Sequence, residues 1–390
     1  MKKERKLRKN FKLFLYGFII VLLISLSFFV LNKYNNILQS TKYKVKVITK
    51  QPKEYKFNIV MAGDSFIHGA VYKDAYKNGV YNFKPMLQYI KPITSKYDLA
   101  YYNQESILGG ADLGYSNYPR FNSPDAVGDA FIDAGFDIVS LANNHTMDKG
   151  IKGVTHSVNY WKGKKAIITS GQALSWEDRN KVRVYEKNGI KFAFFSYTCW
   201  NNGLSTPKGM EYLSNEYSYE KAKKDITSVK DKVDVIMVAM HWGTEYSMGI
   251  SSQQKQIAQD LSNLGVQLII GAHPHVVEPL EYINDGKTFV IYSLGNLISG
   301  QIGNERLTGL LVEVTVRKIV NIDGSVDISI INPKGELTYT KYSPQYTNFR
   351  VYPYYMLNNS IFNGYKNMEK NLRSIVDSKC PEFKWGLTYK

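Results

Sequence analysis

The chain has 390 residues, 44% of them hydrophobic, with 50 basic and 34 acidic side chains and a net charge of +16. That length holds one large domain or two small ones, and the apolar content excludes a disordered chain. Two cysteines, Cys199 and Cys380, exclude a multi-bridge disulfide framework and a four-cysteine zinc site, while the charge admits nucleic acid, an anionic membrane surface or a polyanionic substrate as counterpart.

Residues 1–12 carry seven Lys or Arg against one Glu, a net +6, which leaves +10 for the rest of the chain. From Leu13 to Leu31 there is no charged residue. As a helix rising about 1.5 Å per residue, this run is roughly 28 Å long, close to the hydrocarbon thickness of a bilayer. It ends in Leu31-Asn32-Lys33-Tyr34-Asn35 rather than in a small-x-small cleavage site, so the sequence predicts an uncleaved single-pass membrane anchor. A basic cluster is retained in the cytoplasm, which puts the amino terminus inside and the main domain outside the cell. The expected organisation is a basic tail (1–12), an anchor (13–31), a polar stalk (32–54), one large domain (55–345) and a carboxy-terminal extension without assigned role (346–390). Nucleic acid is then excluded as a partner, because the remaining +10 faces away from it.

Beyond the stalk, β-branched runs alternate with amphipathic stretches, the pattern of a layered α/β fold. Strands are predicted over Phe57–Ala62, Leu99–Tyr102, Asp137–Ala142, Lys191–Tyr197, Val233–Met240 and Val266–Ile270. Helices are predicted near Lys84–Lys96, Pro124–Ala134, Gly150–Lys162, Tyr219–Asp231 and Ser252–Leu264. After Glu278, the runs Val276–Ile283, Thr288–Leu294, Leu310–Arg317 and Val326–Asn332 read as antiparallel strands joined by turns such as Asn284-Asp285-Gly286. A last helix is expected around Lys366–Val376.

Five of these strands run into polar clusters: Gly63-Asp64-Ser65-Phe66-Ile67-His68, Asn103-Gln104-Glu105, Asn143-Asn144-His145-Thr146-Met147-Asp148, His241-Trp242-Gly243 and His273-Pro274-His275. In open α/β sheets the carboxyl ends of strands converge on one crevice, so these clusters should meet there. Hard oxygen donors mixed with imidazoles suit a pair of divalent first-row ions such as Mn, Fe or Zn, better than calcium or a thiolate zinc site. Two such ions need a bridging carboxylate and roughly three further ligands each, which Asp64, Glu105, Asn144, His241, His273 and His275 can supply. Nucleophile elbows, phosphate-binding loops, His-Glu-x-x-His and Gly-x-Gly-x-x-Gly are absent.

Gly63-Asp64, Asn103-Gln104-Glu105, Ala142-Asn143-Asn144-His145-x-x-Asp148-x-Gly150, His241-Trp242-Gly243-x-Glu245-Tyr246, Gly271-Ala272-His273-Pro274-His275 and Tyr292-Ser293-Leu294-Gly295-Asn296 together resemble the CapA/PgsA-type poly-γ-glutamate capsule synthesis family. This family is a branch of the calcineurin-like metallophosphoesterases, and the resemblance covers Phe57 to Leu297. It implies a four-layer α/β/β/α sandwich with a dinuclear centre. Asp64 and His275 would hold the first metal, Glu105 would bridge, and Asn144, His241 and His273 would hold the second. His145 would protonate a leaving group or steady an oxyanion, and imidazole is the side chain that changes charge near neutral pH. Two departures stand out. The superfamily's first motif is Asp-x-His, whereas Asp64-Ser65-Phe66 lacks the histidine, and the bridging group is Glu instead of Asp. The first metal position is therefore incomplete, and His68 either substitutes as a ligand or only faces the cleft.

Asp148 is expected either to orient His145 or one of the metal ligands, or to cap the helix that begins at Gly150. Trp242, Glu245, Asn296 and Arg120 are candidates for binding substrate. Three functions fit: an outward-facing component of poly-γ-glutamate capsule production, a metal-dependent phosphoesterase or amide hydrolase acting on envelope polymer, and a non-catalytic scaffold that binds polymer or a membrane-embedded synthase. The partners implied are an anionic polymer, such a synthase and the membrane.

Overall fold

The computed structural model describes residues 2–42 and 51–389. It divides into two compact units, Met1–Pro52 and Lys53–Lys390. The first contains α1 (Lys2–Lys42), one helix long and apolar enough to cross a membrane, with none of its apolar window buried against protein. The helix runs on through residues 32–42, the first half of the expected stalk, because Asn32 to Lys42 contains neither Gly nor Pro to stop it. The rest of that stalk up to residue 50 lies outside the described residues, and the first strand already begins at Lys53.

The second unit starts with β1 (Lys53–Phe66), α2 (Gly69–Ala75) and a small hairpin, β2 (Tyr76–Lys77) and β3 (Val80–Tyr81). Next come α3 (Lys91–Thr94), β4 (Leu99–Gln104), α4 (Ala126–Asp133), β5 (Ile138–Ser140), α5 (Gly150–Lys162), β6 (Ile168–Ser170) and α6 (Trp176–Asn180). The middle of the chain forms β7 (Tyr185–Lys187), β8 (Ile190–Thr198), α7 (Tyr219–Val229), β9 (Val235–His241), α8 (Ser252–Leu264) and β10 (Leu268–Ala272). The remainder supplies β11 (Leu280–Ile283), β12 (Thr288–Ile291), β13 (Asn296–Ser299), β14 (Thr308–Val320), β15 (Val326–Lys341), β16 (Arg350–Pro353), α9 (Tyr365–Val376) and β17 (Lys384–Trp385).

Two sheets result. One has the order β16-β15-β14-β1-β4-β5-β6, with β13 added to β1 and β17 to β15; the other runs β11-β12-β10-β9-β8-β7. The strand alternation assigns the layers. Ile59, Met61, Leu99, Tyr101 and Ile138 point inward to meet Phe192, Phe194, Met237, Ala239 and Ile270 of the second sheet. Their neighbours Val60, Ala62, Ala100, Tyr102 and Val139 point outward onto Val127, Phe131 and Trp161 of α4 and α5. On the far side, Ile236, Val238 and Ile269 pack on Ile226 of α7 and on Ile257 and Leu261 of α8. Both sheets are thus covered on both faces, which is why their parallel strands read as nearly continuous apolar runs. The architecture is the four-layer α/β/β/α sandwich.

Local chemistry explains the departures from the predicted elements. The helix expected over Lys84–Lys96 is a 3-10 turn (Lys84–Leu87) followed by the single-turn α3, because Pro85 and Pro92 each restart the backbone at the first turn. β12 pairs in parallel with β10, while the β11-β12 hairpin, the β14-β15-β16 meander and the pairing of β14 with β1 are antiparallel. Residues from 346 onward are integral to the second unit. Phe349 and Val351 enter the outer core near the 3-10 turn Lys84–Leu87, while Leu372, Val376 and Phe383 join the core between the sheets.

Candidate metal centre

Each cluster emerges where a parallel strand ends. Asp64 lies at a break in the register of β1, where pairing shifts against both β4 and β13 and turns the carboxylate out of the ladder. Gly63 makes this possible. A Cβ there would lie 1.8 Å from the Gly295 carbonyl oxygen, the same oxygen that accepts the Asp64 N–H at 2.9 Å. Glu105 follows β4, Asn144 and His145 follow β5, His241 is the last residue of β9, and His273 and His275 follow β10. His273 (φ +101°) and His275 (φ +61°) both occupy left-handed backbone, a conformation costing about 1–3 kcal/mol per non-glycine residue and concentrated at functional sites.

Two ligand groups form around one shared carboxylate. Asp64, Glu105 and His275 offer ligand atoms within 4.8 Å of one another, and so do Glu105, His241 and His273. Within these groups His275 Nε2 lies 3.5 Å and His241 Nε2 3.7 Å from Glu105 Oε1, and His275 Nδ1 lies 3.5 Å from Asp64 Oδ2. Asn144 Oδ1 is 3.0 Å from His241 Nε2, which is in turn 3.2 Å from His273 Nδ1. Neighbours hold the groups in place. Asn103 Nδ2 donates to Asp64 Oδ1 at 2.8 Å, the His273 N–H donates to Asp64 Oδ2 at 3.3 Å, and Asn202 Oδ1 accepts from Asn144 Nδ2 at 3.2 Å.

The electrostatics of this chain call for a cation. Glu105 is fully buried, and neither of its carboxylate oxygens receives a hydrogen bond. Leaving a buried charge uncompensated costs several kcal/mol, and neither Lys nor Arg forms an ion pair with Glu105 among the described residues. Burial, followed by the charges of Asp64 and Glu245, holds the Glu105 carboxyl well above the usual range. Burial likewise depresses His241 strongly and His273 to about 3, which keeps both imidazoles in the neutral, ligating form. Orphaned carboxylate oxygens facing neutral imidazoles fit divalent metal, whose charge would reverse the shift at Glu105.

An open cleft of about 480 Å³ leads to the centre, and Phe66, His68, Arg120, His145, Asp148, Glu245, Tyr246 and His275 are among its lining residues. His145 Nδ1 lies 2.7 Å from Asp148 Oδ2, which also accepts the Phe121 N–H at 2.6 Å. An acceptor in that position fixes the Nδ1–H tautomer and leaves Nε2 as the ring nitrogen available to a ligand. Asp148 thus orients His145, and the α5 amino terminus has no side-chain cap.

Other expectations change. Trp242 does not line the cleft. It is fully buried, stacks on Tyr292 and donates its Nε1–H to the Tyr292 carbonyl at 2.9 Å, because alternation along β9 turns its side chain to the α7/α8 side. Asn296 is also fully buried, and it positions a histidine instead of meeting substrate: its Oδ1 is 3.1 Å from His275 Nδ1. His68 faces the cleft but belongs to neither ligand group, since its Nδ1 is 3.0 Å from the Phe66 carbonyl and 3.3 Å from the Gly300 N–H. Phe66, at the position of the missing histidine, stacks flat on His275 with centroids 4.8 Å apart and 6° between planes. Glu245 was expected only to bind substrate, yet its carboxylate lies within 4.8 Å of the His273 and His275 ligand atoms. Sequence reasoning gave no role to Trp200, whose ring meets His273 edge-on at 4.8 Å, or to Asn202. Both lie in the polar run Cys199-Trp200-Asn201-Asn202 that follows β8, a sixth strand end legible by the same rule as the other five.

A two-sheet α/β/β/α sandwich with histidines and carboxylates gathered at its strand ends is a phosphoesterase-like fold carrying a candidate metal site. Residues 58–301 match the family described as "Bacterial capsule synthesis protein PGA_cap", and the chain belongs to that family. It is 30% identical over 192 residues to the "PGA biosynthesis protein CapA" of Bacillus subtilis (strain 168), covering 48% of each chain. It is 27% identical over 189 residues to the "Capsule biosynthesis protein CapA" of Bacillus anthracis, covering 47% of this chain and 45% of that one. The matched region thus spans about half the length of these relatives. Among solved structures, a phosphatase from Mycoplasma pneumoniae aligns with a TM-score of 0.46 and 16% identity, over 75% of this chain and 97% of that one.

Proposed function

We propose that this protein is a membrane-anchored, outward-facing component of poly-γ-glutamate capsule production whose cleft is a metal-dependent hydrolytic centre for an anionic polymer. Glu105 is the observation that carries the reading: a fully buried carboxylate without a hydrogen-bond donor, placed between two histidine groups. Asp64 and His275 would hold one divalent ion and Asn144, His241 and His273 a second, with Glu105 within reach of both groups. When bound, such ions supply Lewis-acid polarisation of a carbonyl or phosphoryl oxygen and an activated water. The protein's own residues do the rest. His145, locked by Asp148, presents Nε2 to the cleft and gives a proton to the leaving group. Arg120, on the cleft wall, pairs its planar fork with a polymer carboxylate. Of the net charge of +16, six units lie in residues 1–12 at the start of α1 and orient it in the bilayer, and five lie on the folded unit from Lys53 onward and draw polyanion towards it.

The test uses the purified full chain in detergent, supplied with Mn²⁺ and offered poly-γ-glutamate and aryl phosphoesters. Chain shortening of polyglutamate that disappears in His145→Ala supports the reading. Turnover confined to phosphoesters moves the substrate to a phosphorylated envelope polymer. Phe66 stacked on His275 also favours a scaffold that holds polymer without cleaving it; polyglutamate binding with no turnover on either substrate is the outcome that selects this alternative.

A further inference from the structure

Phe66 removes one donor from the His275 side of the centre, because an apolar ring now covers a face of that imidazole. The remaining groups on that side are Asp64, Glu105 and His275, and Asp64 already accepts from Asn103 and from the His273 N–H. A further carboxylate reaches His275 from the cleft. Glu245, in the loop between β9 and α8, lies within 4.8 Å of the ligand atoms of His273 and His275. It is exposed where the other ligand residues are buried, so it approaches from the open side of the cleft.

The loop that carries it is braced for position. The Tyr246 N–H donates to the Pro274 carbonyl at 2.8 Å, between the two histidines, and Tyr246 adopts φ +66°. The Arg306 guanidinium lies 3.8 Å from the Tyr246 ring centroid, and Gln301 Nε2 is 3.4 Å from the Tyr246 hydroxyl. Gln301 Oε1 also accepts from Asn296, which orients His275. The loop and the histidine therefore share one set of supports.

We propose, resting on the metal reading above, that the Glu245 carboxylate is a metal ligand on the His275 side and compensates for the imidazole that Phe66 replaces. Charge supports the assignment. Asp64, Glu105 and Glu245 give three carboxylates beside the histidines, a better match for divalent cations than two. Exchanging an imidazole for a carboxylate also moves the site towards harder ions, so Mn²⁺ gains over Zn²⁺.

Metal affinity tests this without reference to turnover. The full chain in detergent, stripped with chelator, is titrated calorimetrically with Mn²⁺ and with Zn²⁺. Glu245→Gln is expected to weaken Mn²⁺ binding about tenfold or more, with Zn²⁺ less affected, while thermal unfolding of the metal-free protein stays unchanged. Phe66→His in the Glu245→Gln background is expected to restore affinity and to favour Zn²⁺. If Glu245→Gln binds Mn²⁺ within about twofold of wild type, the assignment is overturned and the metal centre stands, since loss of a ligand costs more than that. A wild-type chain that binds neither ion overturns the metal centre and this assignment together.

Discussion

At the scale of single residues, the centre depends on short contacts that admit few substitutions. Asp148 makes the sharpest case. Its Oδ2 accepts both His145 Nδ1–H and the Phe121 N–H, so Asp148→Ala removes the acceptor from both and releases the imidazole from its tautomer. The expected outcome is a loss of turnover of roughly 10–100-fold with metal content unchanged, read by steady-state kinetics beside elemental analysis. Gly63 is equally constrained. Gly63→Ala places a methyl group 1.8 Å from the Gly295 oxygen, so β1 and the turn before β13 must separate and carry Asp64 with them. A lower melting temperature together with weakened metal binding is expected; a variant that melts and binds like wild type refutes the account of the break in β1.

At the scale of elements, α6 and α7 are clipped by a buried ion pair. Arg179 Nη1 and Nη2 donate to the two Asp225 oxygens at 2.5 and 2.7 Å, Nη2 also donates to Asn215 Oδ1, and the Tyr197 hydroxyl donates to Asp225 as well. Both side chains are over 90% buried, since 8% and 9% of their surface is exposed. Arg179→Ala leaves Asp225 buried without its cation, which costs about 3–5 kcal/mol, measurable by chemical denaturation. A second element-level coupling joins α8 to the segment after β10. Gln254, which closes the α8 capping box, donates to the fully buried Glu278 at 2.6 Å. Burial raises the Glu278 carboxyl to about 8 against the partly opposing hydrogen bond, whereas in the unfolded chain it titrates near 4.5. The folded state therefore holds a proton that the unfolded state has lost. This contribution is full below pH 4.5 and falls away as pH rises to about 8. Glu278→Gln is expected to match wild type near pH 4.5 and to melt higher at pH 8–9. Equal melting across that range would show that Glu278 does not titrate with folding.

At the scale of the whole molecule, the described residues separate a bare apolar helix from a folded body that includes the carboxy-terminal segment. Apolar side chains ring α1, Leu22 and Phe28 exposed at 51% and 73%, and a helix apolar all round is stable only in an apolar medium. The full chain is accordingly expected in the membrane fraction, and removal of residues 1–52 should release a folded body to the soluble fraction. The opposite is expected at the other end. Truncation after residue 364 removes Leu372, Val376 and Phe383 from the core between the sheets. Losing three large buried side chains, at roughly 2–5 kcal/mol each, exceeds the margin of most domains, so cooperative unfolding should vanish.

The sequence by itself determined the alternation of strands and helices, the apolar amino-terminal helix and the five polar strand ends. Those features are written in local periodicity and in the rule that parallel strands deliver their carboxyl ends to one edge. Asp64, Glu105, Asn144, His241, His273 and His275 were legible for that reason. Only the tertiary structure decided which way a side chain faces once two sheets and their helices are packed. Trp242 is turned into the α7/α8 core although it adjoins His241, and Asn296 is spent on His275. Phe66 covers the same histidine, while Glu245 arrives from a different loop to stand beside it. Those contacts join residues tens to hundreds of positions apart, and a period of two or of 3.6 along the chain carries no information about them.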